Sequence, residues 1–221
     1  MKSERCTFMR GSIVATMTKD DIRNKIWNLL EEKALVAFPR PCRGRIPNFV
    51  GSERAAERIR DLPEFMKATC VFCAPDRVLK RVRELVLEER KTLAVALPHM
   101  AGFLQIDERD RIGLATNIKG FRKFGEPLQK KIDLFVQGSV AVDLKGNRLG
   151  KGRGYGDQEW RHLKRNRFMD GTEKTVTVVH EEQIVDEVSN LMEKWDKKID
   201  YILTPERVIH CVRARTSAEQ Q

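Results

Sequence analysis

Apolar positions recur along this chain with two spacings, one helical and one strand-like, and their alternation predicts its elements. Ile22, Ile26, Leu29 and Leu30 share one helix face. Thr18 stands where a cap would, and Asp20 and Asp21 fall in the first turn, where the helix dipole favours anions. Ser52 is the expected cap of a second helix that carries Ala55, Ala56 and Ile59 and ends near Leu62, and Pro63 opens a short further turn. Helical spacing returns over residues 77–89, through Val78, Val82, Leu85 and Val86, and helices are also predicted over 159–168 and 187–195. Between them, short apolar or β-branched runs at 69–74, 92–97, 132–137, 139–142, 174–179, 199–203 and 207–212 predict strands, with 103–106 as a further one. Pro75 and Pro98 stop the first two. The segment 37–49, with Pro39, Pro41, Gly44 and Pro47, is loop, and 99–131 has little regular period.

Near-continuous apolar strands alternating with amphipathic helices place a parallel-rich sheet beneath helices on both faces. The expected fold is therefore α/β: a three-layer α/β/α arrangement with a mostly parallel, Rossmann-like sheet. Ligands of such sheets sit beyond the carboxyl ends of the strands. Residues 17–213 read as one domain, 1–16 as a mobile extension and 214–221 as a polar tail. No apolar run approaches the roughly 18–20 residues of a membrane span, and the amino-terminal stretch lacks the sustained apolar segment of a secretory signal.

Composition narrows the class. Cys6, Cys42, Cys70, Cys73 and Cys211 are an odd, scattered set, which argues for a reducing cytoplasmic setting and against a disulfide framework. Cys70-Val-Phe-Cys73 has the spacing of half a zinc site, but it lacks a second pair or a nearby histidine and reads as strand packing. The net charge of +10 comes from 42 basic and 32 acidic residues interleaved throughout. That pattern predicts a solvated surface with a local anion site more than a polybasic arm, so nucleic acid is an available partner but not the favoured one.

The candidate chemistry lies in residues 147–157, Asn-Arg-Leu-Gly-Lys-Gly-Arg-Gly-Tyr-Gly-Asp. Gly150, Gly152 and Gly154 permit turns that expose successive N–H groups to an anion, and Arg148, Lys151 and Arg153 add charge there. Asp157 could serve a divalent cation or cap a helix. Two readings stand: a nucleotide-phosphate loop, and a flexible basic hairpin.

The surroundings of this loop resemble the 5-formyltetrahydrofolate cyclo-ligase family, also called methenyltetrahydrofolate synthetases. The family has Lys-x-x-x-Arg on an amino-terminal helix, here Lys19-Asp-Asp-Ile-Arg23, and a loop of the form Gly-x-Arg-Leu-Gly-x-Gly-x-Gly-Tyr-Tyr-Asp, here residues 146–157. The run 137–143, His180-Glu-Glu-Gln183 and Asp200-Tyr-Ile-Leu-Thr204 resemble its other elements. Residues 22–27, 38–41, 45–49 and 55–58 are similar to the branch of methenyltetrahydrofolate synthase domain-containing proteins.

The resemblance implies ATP and Mg²⁺ as cofactors and a folate or related heterocycle as substrate, in a monomer or homodimer. It puts Lys19, Arg23, Arg148, Lys151, Gly150, Gly152 and Gly154 on the ATP phosphates, Asp157 on Mg²⁺, and Tyr155 against the nucleotide or pterin, with Lys19, Arg148 and Tyr155 in catalysis. The i, i+4 spacing of Lys19 and Arg23 independently places them on one helix face. Departures fall on the pterin side. The second tyrosine of the loop is Gly156, and Asp76 stands where a glutamate is expected. Pro98-His-Met100 is a candidate for the folate segment, and the family's Glu-Pro is kept as Glu126-Pro127. Elsewhere Arg153, His99 and His162 read as surface or structural residues, Trp27 and Trp195 as core, and His180 as a helix cap or site residue. Arg40, Arg43 and Arg45 form a basic loop that is either solvated or meets an anionic tail. Three functions follow: a cyclo-ligase on 5-formyltetrahydrofolate, an ATP-using relative with another heterocycle, and a non-catalytic RNA-binding module.

Overall fold

In the computed structural model, which describes residues 17–193 and 196–211, the chain opens with helix α1, Lys19–Glu32. Thr18 and Asp21 cap it reciprocally: Thr18 Oγ1 accepts from the Asp21 N–H at 3.2 Å and Asp21 Oδ2 accepts from the Thr18 N–H at 2.9 Å. Ile22, Ile26 and Leu30 are fully buried along one stripe. A loop leads to α2 (Ser52–Glu57), a 3₁₀ turn (Arg58–Asp61) and α3 (Pro63–Lys67). The cap of α2 is Gly51, in the left-handed region at φ 90°, and not Ser52 as expected. Ser52 is already helical, and its hydroxyl donates to Asn48 Oδ1.

The strands are β1 (Cys70–Cys73), β2 (Thr92–Ala96), β3 (Phe103–Ile106), β4 (Glu126–Pro127), β5 (Leu134–Val136), β6 (Ala141–Val142), β7 (Arg148–Leu149), β8 (Lys174–Val178), β9 (Tyr201–Leu203) and β10 (Val208–His210). Helices α4 (Lys80–Glu88), α5 (Ile112–Ala115), α6 (Ile118–Phe124) and α7 (Tyr155–Arg165) complete the set. The main sheet has eight strands in the order β10-β9-β8-β5-β1-β2-β3-β4. Its inner strands, β9 to β2, are parallel, and β10 at one edge and β3 and β4 at the other are antiparallel. From β1 the chain moves to β2 on one side and later returns to β5 on the other, so the topological switch lies between β1 and β5.

Both faces of the sheet are covered. Phe72 and Phe135, register partners on β1 and β5, stack at 4.5 Å, and Trp160 of α7 meets Phe135 edge-on at 5.1 Å. On the opposite face of β1, the Cys73 thiol donates to the Leu79 carbonyl at 3.8 Å, at the foot of α4. Burial pushes the Cys70 and Cys73 thiols up to about 12, which keeps them as neutral packing groups.

Several expected elements changed. β6 and β7 form a separate antiparallel hairpin, so the glycine loop follows a hairpin strand and not a strand of the main sheet. Asp143 organises that hairpin turn by accepting from the backbone of Lys145 and Asn147. The helix expected over 187–195 is a 3₁₀ segment, Asp186–Leu191, and Trp195 lies outside the described residues, as do 1–16, Cys6 and 212–221. Residues 99–131 hold α5, α6 and β4, which the sequence did not reveal. No helix among the described residues is long and apolar enough to cross a membrane.

Candidate active site

A cleft of about 870 Å³ opens at the carboxyl ends of β1, β2 and β5, over the topological switch where doubly wound sheets bind ligands. Lys19, Arg23, Arg148, Gly150, Lys151, Gly152, Gly154, Tyr155 and Asp157 all line it, so residues far apart in sequence meet as expected. α1 contributes its amino end. Lys19 Nζ lies 3.2 Å from Asp196 Oδ2, and Arg23 Nε donates to the Gly150 carbonyl at 2.7 Å, tying α1 to the loop. The 43–46 loop is fixed over the mouth by Trp27 Nε1, which donates to the Arg45 carbonyl, and by Arg43, which donates to Asn24 and Asn28.

The loop itself is shaped by glycine. Gly152 and Gly154 take φ values of 98° and 66°, and Gly154 is the amino cap of α7. α7 therefore starts at Tyr155, four residues earlier than the pattern indicated, and Asp157 sits in its first turn instead of capping it. That helix end has no side-chain cap, so its leading N–H groups face the cleft as an anion site. Arg148 is nearly buried; it donates to the Gly138 carbonyl at 2.9 Å and lies 3.4 Å from Asp157 Oδ2. Lys151 Nζ is 3.4 Å from Asp76 Oδ1.

The structure adds residues that the sequence reading missed or undervalued. His99, by its isolation in the sequence a structural histidine, instead lines the cleft with Nδ1 3.3 Å from the Tyr155 hydroxyl. His99 and Met100 both hold left-handed backbone, at φ 60° and 59°, a strain that clusters at ligand-binding segments. Arg153 is exposed but stands at the cleft rim. Glu159 faces the cleft at 7% exposure; burial first, then the Asp76 carboxylate, pushes its carboxyl up to about 8. Gln137, 2% exposed, has neither amide atom hydrogen-bonded among the described residues. The only advance signal for either was position: Gln137 ends an apolar strand and Glu159 follows the motif by two residues.

Other candidates lie elsewhere. His180 is a cap, its Nδ1 accepting from the Glu182 N–H while Gln183 accepts from the His180 N–H. His162 stacks on Phe103, Trp27 is core, and Glu126-Pro127 forms the exposed edge strand β4. Arg40 is turned back onto the Val36 carbonyl.

The donor set suits a polyphosphate: cations from α1, from β7 and from the glycine loop, open helix amides and glycines that admit close approach. Among the described residues no cluster of three or more His, Cys, Asp or Glu makes a metal cage. Magnesium is ordinarily held by one or two carboxylates together with phosphate oxygens, and Asp157 and Asp76 on the cleft wall fit that arrangement.

The model of the 5-formyltetrahydrofolate cyclo-ligase family matches residues 15–205. A methenyltetrahydrofolate synthase domain-containing protein of Homo sapiens is 40% identical over 204 residues, 87% of this chain and 53% of that protein. The Danio rerio counterpart is 35% identical over 203 residues, again 87% and 53%. The chain thus spans about half the length of these curated relatives. Among solved structures, a 5,10-methenyltetrahydrofolate synthetase of Aquifex aeolicus aligns with TM-score 0.56 at 22% identity, over 90% of this chain and 96% of that one. Another, from Mycoplasma pneumoniae, aligns with TM-score 0.51 at 15% identity, over 85% and 98%. At these identities the two structures speak for the fold.

Proposed function

Because the chain belongs to the 5-formyltetrahydrofolate cyclo-ligase family, we propose that it converts 5-formyltetrahydrofolate to 5,10-methenyltetrahydrofolate with ATP and Mg²⁺. In this reaction the γ-phosphoryl group passes to the formyl oxygen and ADP leaves. The exocyclic N10 amine of the substrate then attacks the activated carbon, and loss of phosphate and of the N10 proton closes the new ring. The protein's task is positioning and charge stabilisation. Lys19, Arg23, Arg148 and Lys151 hold the phosphates with the α7 amino end, and Tyr155, steadied by His99, borders the reacting group. Asp157 and then Asp76 would hold Mg²⁺, which would supply neutralisation of the phosphate charge. The buried thiols of Cys42, Cys70 and Cys73 suit work in a reducing cytoplasm.

The observation that carries this reading is the convergence of the Lys19/Arg23 helix face and the glycine loop on one cleft at the sheet's switch point. The test is methenyl absorbance from purified protein with 5-formyltetrahydrofolate, ATP and Mg²⁺. ATP-dependent product that is lost in Asp157→Ala supports the cyclo-ligase. Absence of product from protein that binds ATP would favour the second reading, an ATP-using relative with another heterocycle. That alternative rests on the altered cleft floor at Gly156 and Asp76.

A further inference from the structure

Arg83 lies on α4 beside the apolar stripe of Val82, Leu85 and Val86, and it is buried with them at 2% exposure. None of its hydrogen bonds goes to a carboxylate. Nη1 donates to the Ala74 carbonyl at 2.6 Å and to the Asp76 carbonyl at 3.0 Å, and Nε donates to the Thr116 carbonyl at 3.0 Å. Its guanidinium carbon stands 5.8 Å from the centre of the Phe121 ring on α6. A buried charge held only by carbonyls is costly, and an apolar side chain of similar volume would pack as well. The segments it holds are therefore informative. Ala74 still bonds to the sheet, its N–H donating to the Val136 carbonyl at 3.0 Å, but Pro75 has no N–H with which to continue. Pro75, Asp76 and Arg77 then line the cleft, with Asp76 Oδ1 3.4 Å from Lys151 Nζ of the glycine loop. Thr116 follows α5, where a helix leaves its last carbonyls unpaired, and Ile118, two residues on, lines the cleft as well. One buried side chain thus ties together two segments that supply cleft residues.

We propose that Arg83 is a positioning residue of the phosphate site: it fixes the backbone at Asp76 and so sets the Asp76 carboxylate against Lys151. It acts through Asp76 and is not itself among the residues that line the cleft. The planar guanidinium suits this task. Its Nη1 and Nε diverge toward two separate segments, a fork that one ammonium group on a flexible stem cannot reproduce. The inference rests on the cyclo-ligase reading for the ligand that reports on the site, ATP with Mg²⁺.

A double-mutant cycle, read by calorimetric titration of the full chain with ATP and Mg²⁺, separates positioning from a general structural role. Arg83→Lys keeps the charge, gives up the fork, and should weaken ATP binding about tenfold. Asp76→Asn should weaken it too, and adding Arg83→Lys to that variant should cost no more than about twofold further, because the carboxylate it would misplace is already gone. The melting temperature, by contrast, should fall equally when Arg83→Lys is added to either background, since the same carbonyls lose their donor. A tenfold loss of ATP affinity in both backgrounds would show that Arg83 acts on the fold at large and overturn the proposal, as would unchanged affinity in the single variant. The wild type supplies a check that needs no variant. Without ligand, hydrogen exchange should find the Leu79 amide protected, because it donates to the same Asp76 carbonyl at 3.1 Å. Free exchange there would mean that Asp76 is not held in advance, and would also overturn the proposal. Wild-type protein that binds no ATP would overturn the proposal and the cyclo-ligase reading together. ATP binding without methenyl product would overturn the cyclo-ligase reading alone.

Discussion

A carboxyl removed from water next to other carboxylates keeps its proton, and Glu159 meets both conditions. Asp76, from the segment after β1, and Asp157, two residues earlier in α7, add to that burial in raising its pKa, while Arg148 of β7 and Lys151 of the loop partly offset them. Between its ordinary 4.5 and about 8, the folded protein holds a proton that the unfolded chain has released. Stability is therefore expected to fall as pH rises through that window, by on the order of 5 kcal/mol at full effect. Glu159→Gln should remove the slope, as urea unfolding at pH 5 and pH 8.5 would show; parallel wild-type and mutant profiles would refute the shift. Arg148 and Lys19 separate stability from binding. Arg148→Met orphans the Gly138 carbonyl in a buried setting and should cost about 2 kcal/mol along with nucleotide affinity. Lys19→Ala breaks only a part-exposed pair with Asp196, worth about 0–1 kcal/mol, yet should lose ATP affinity as strongly. Equal stability loss in the two would contradict these roles. The cations were legible because helix spacing and a loop motif are local in sequence. Glu159 and Gln137 were not, since their significance arises only when β5, β1 and α7 bring them to one floor.

α7 carries the site on its first turn, so its starting point matters more than its length. Gly154 caps it from left-handed backbone, and a Cβ there would meet nothing nearer than Gln158 Nε2 at 3.5 Å. The penalty of Gly154→Ala is thus conformational, about 1 kcal/mol. Because Tyr155, Asp157 and Glu159 all depend on that cap, kcat/KM should fall further than the melting point implies. A loss of activity no larger than the stability loss would mean that the loop adapts freely. The same feature explains a misjudged boundary. α1 announced itself through a side-chain capping box, Thr18 with Asp21, whereas α2 and α7 are capped by glycine conformation, which leaves no polar signature. Helices α5 and α6, of four and seven residues, are too short to show an apolar period. The buried strands were plain because each is a continuous apolar run flanked by proline or polar turns.

Across the whole molecule, the cleft draws on segments from Lys19 to Asp196, all anchored to one sheet, so occupancy should stabilise the fold as a unit. ATP with Mg²⁺ at about 100 times its dissociation constant should add about 2.7 kcal/mol. For a chain of this size that corresponds to a rise of roughly 5–10 °C in melting temperature. The rise should saturate with ligand and vanish in Lys19→Ala. The net charge of +10 offers a competing account, in which the chain binds nucleic acid through its dispersed basic surface. That account predicts affinity for single-stranded RNA whose logarithm falls with log salt at about −0.7 per phosphate contacted, with no saturating effect of ATP. The interleaved acidic residues argue otherwise: Arg60, Arg81 and Arg207 are each engaged by surface glutamates, whereas Lys19, Arg23, Arg148 and Lys151 stand together in the cleft. Melting curves at low and high salt, with ATP and with a short RNA, therefore discriminate the two. A saturating ATP shift that survives high salt supports a built nucleotide site, and an RNA shift that exceeds it would make nucleic-acid binding the primary role.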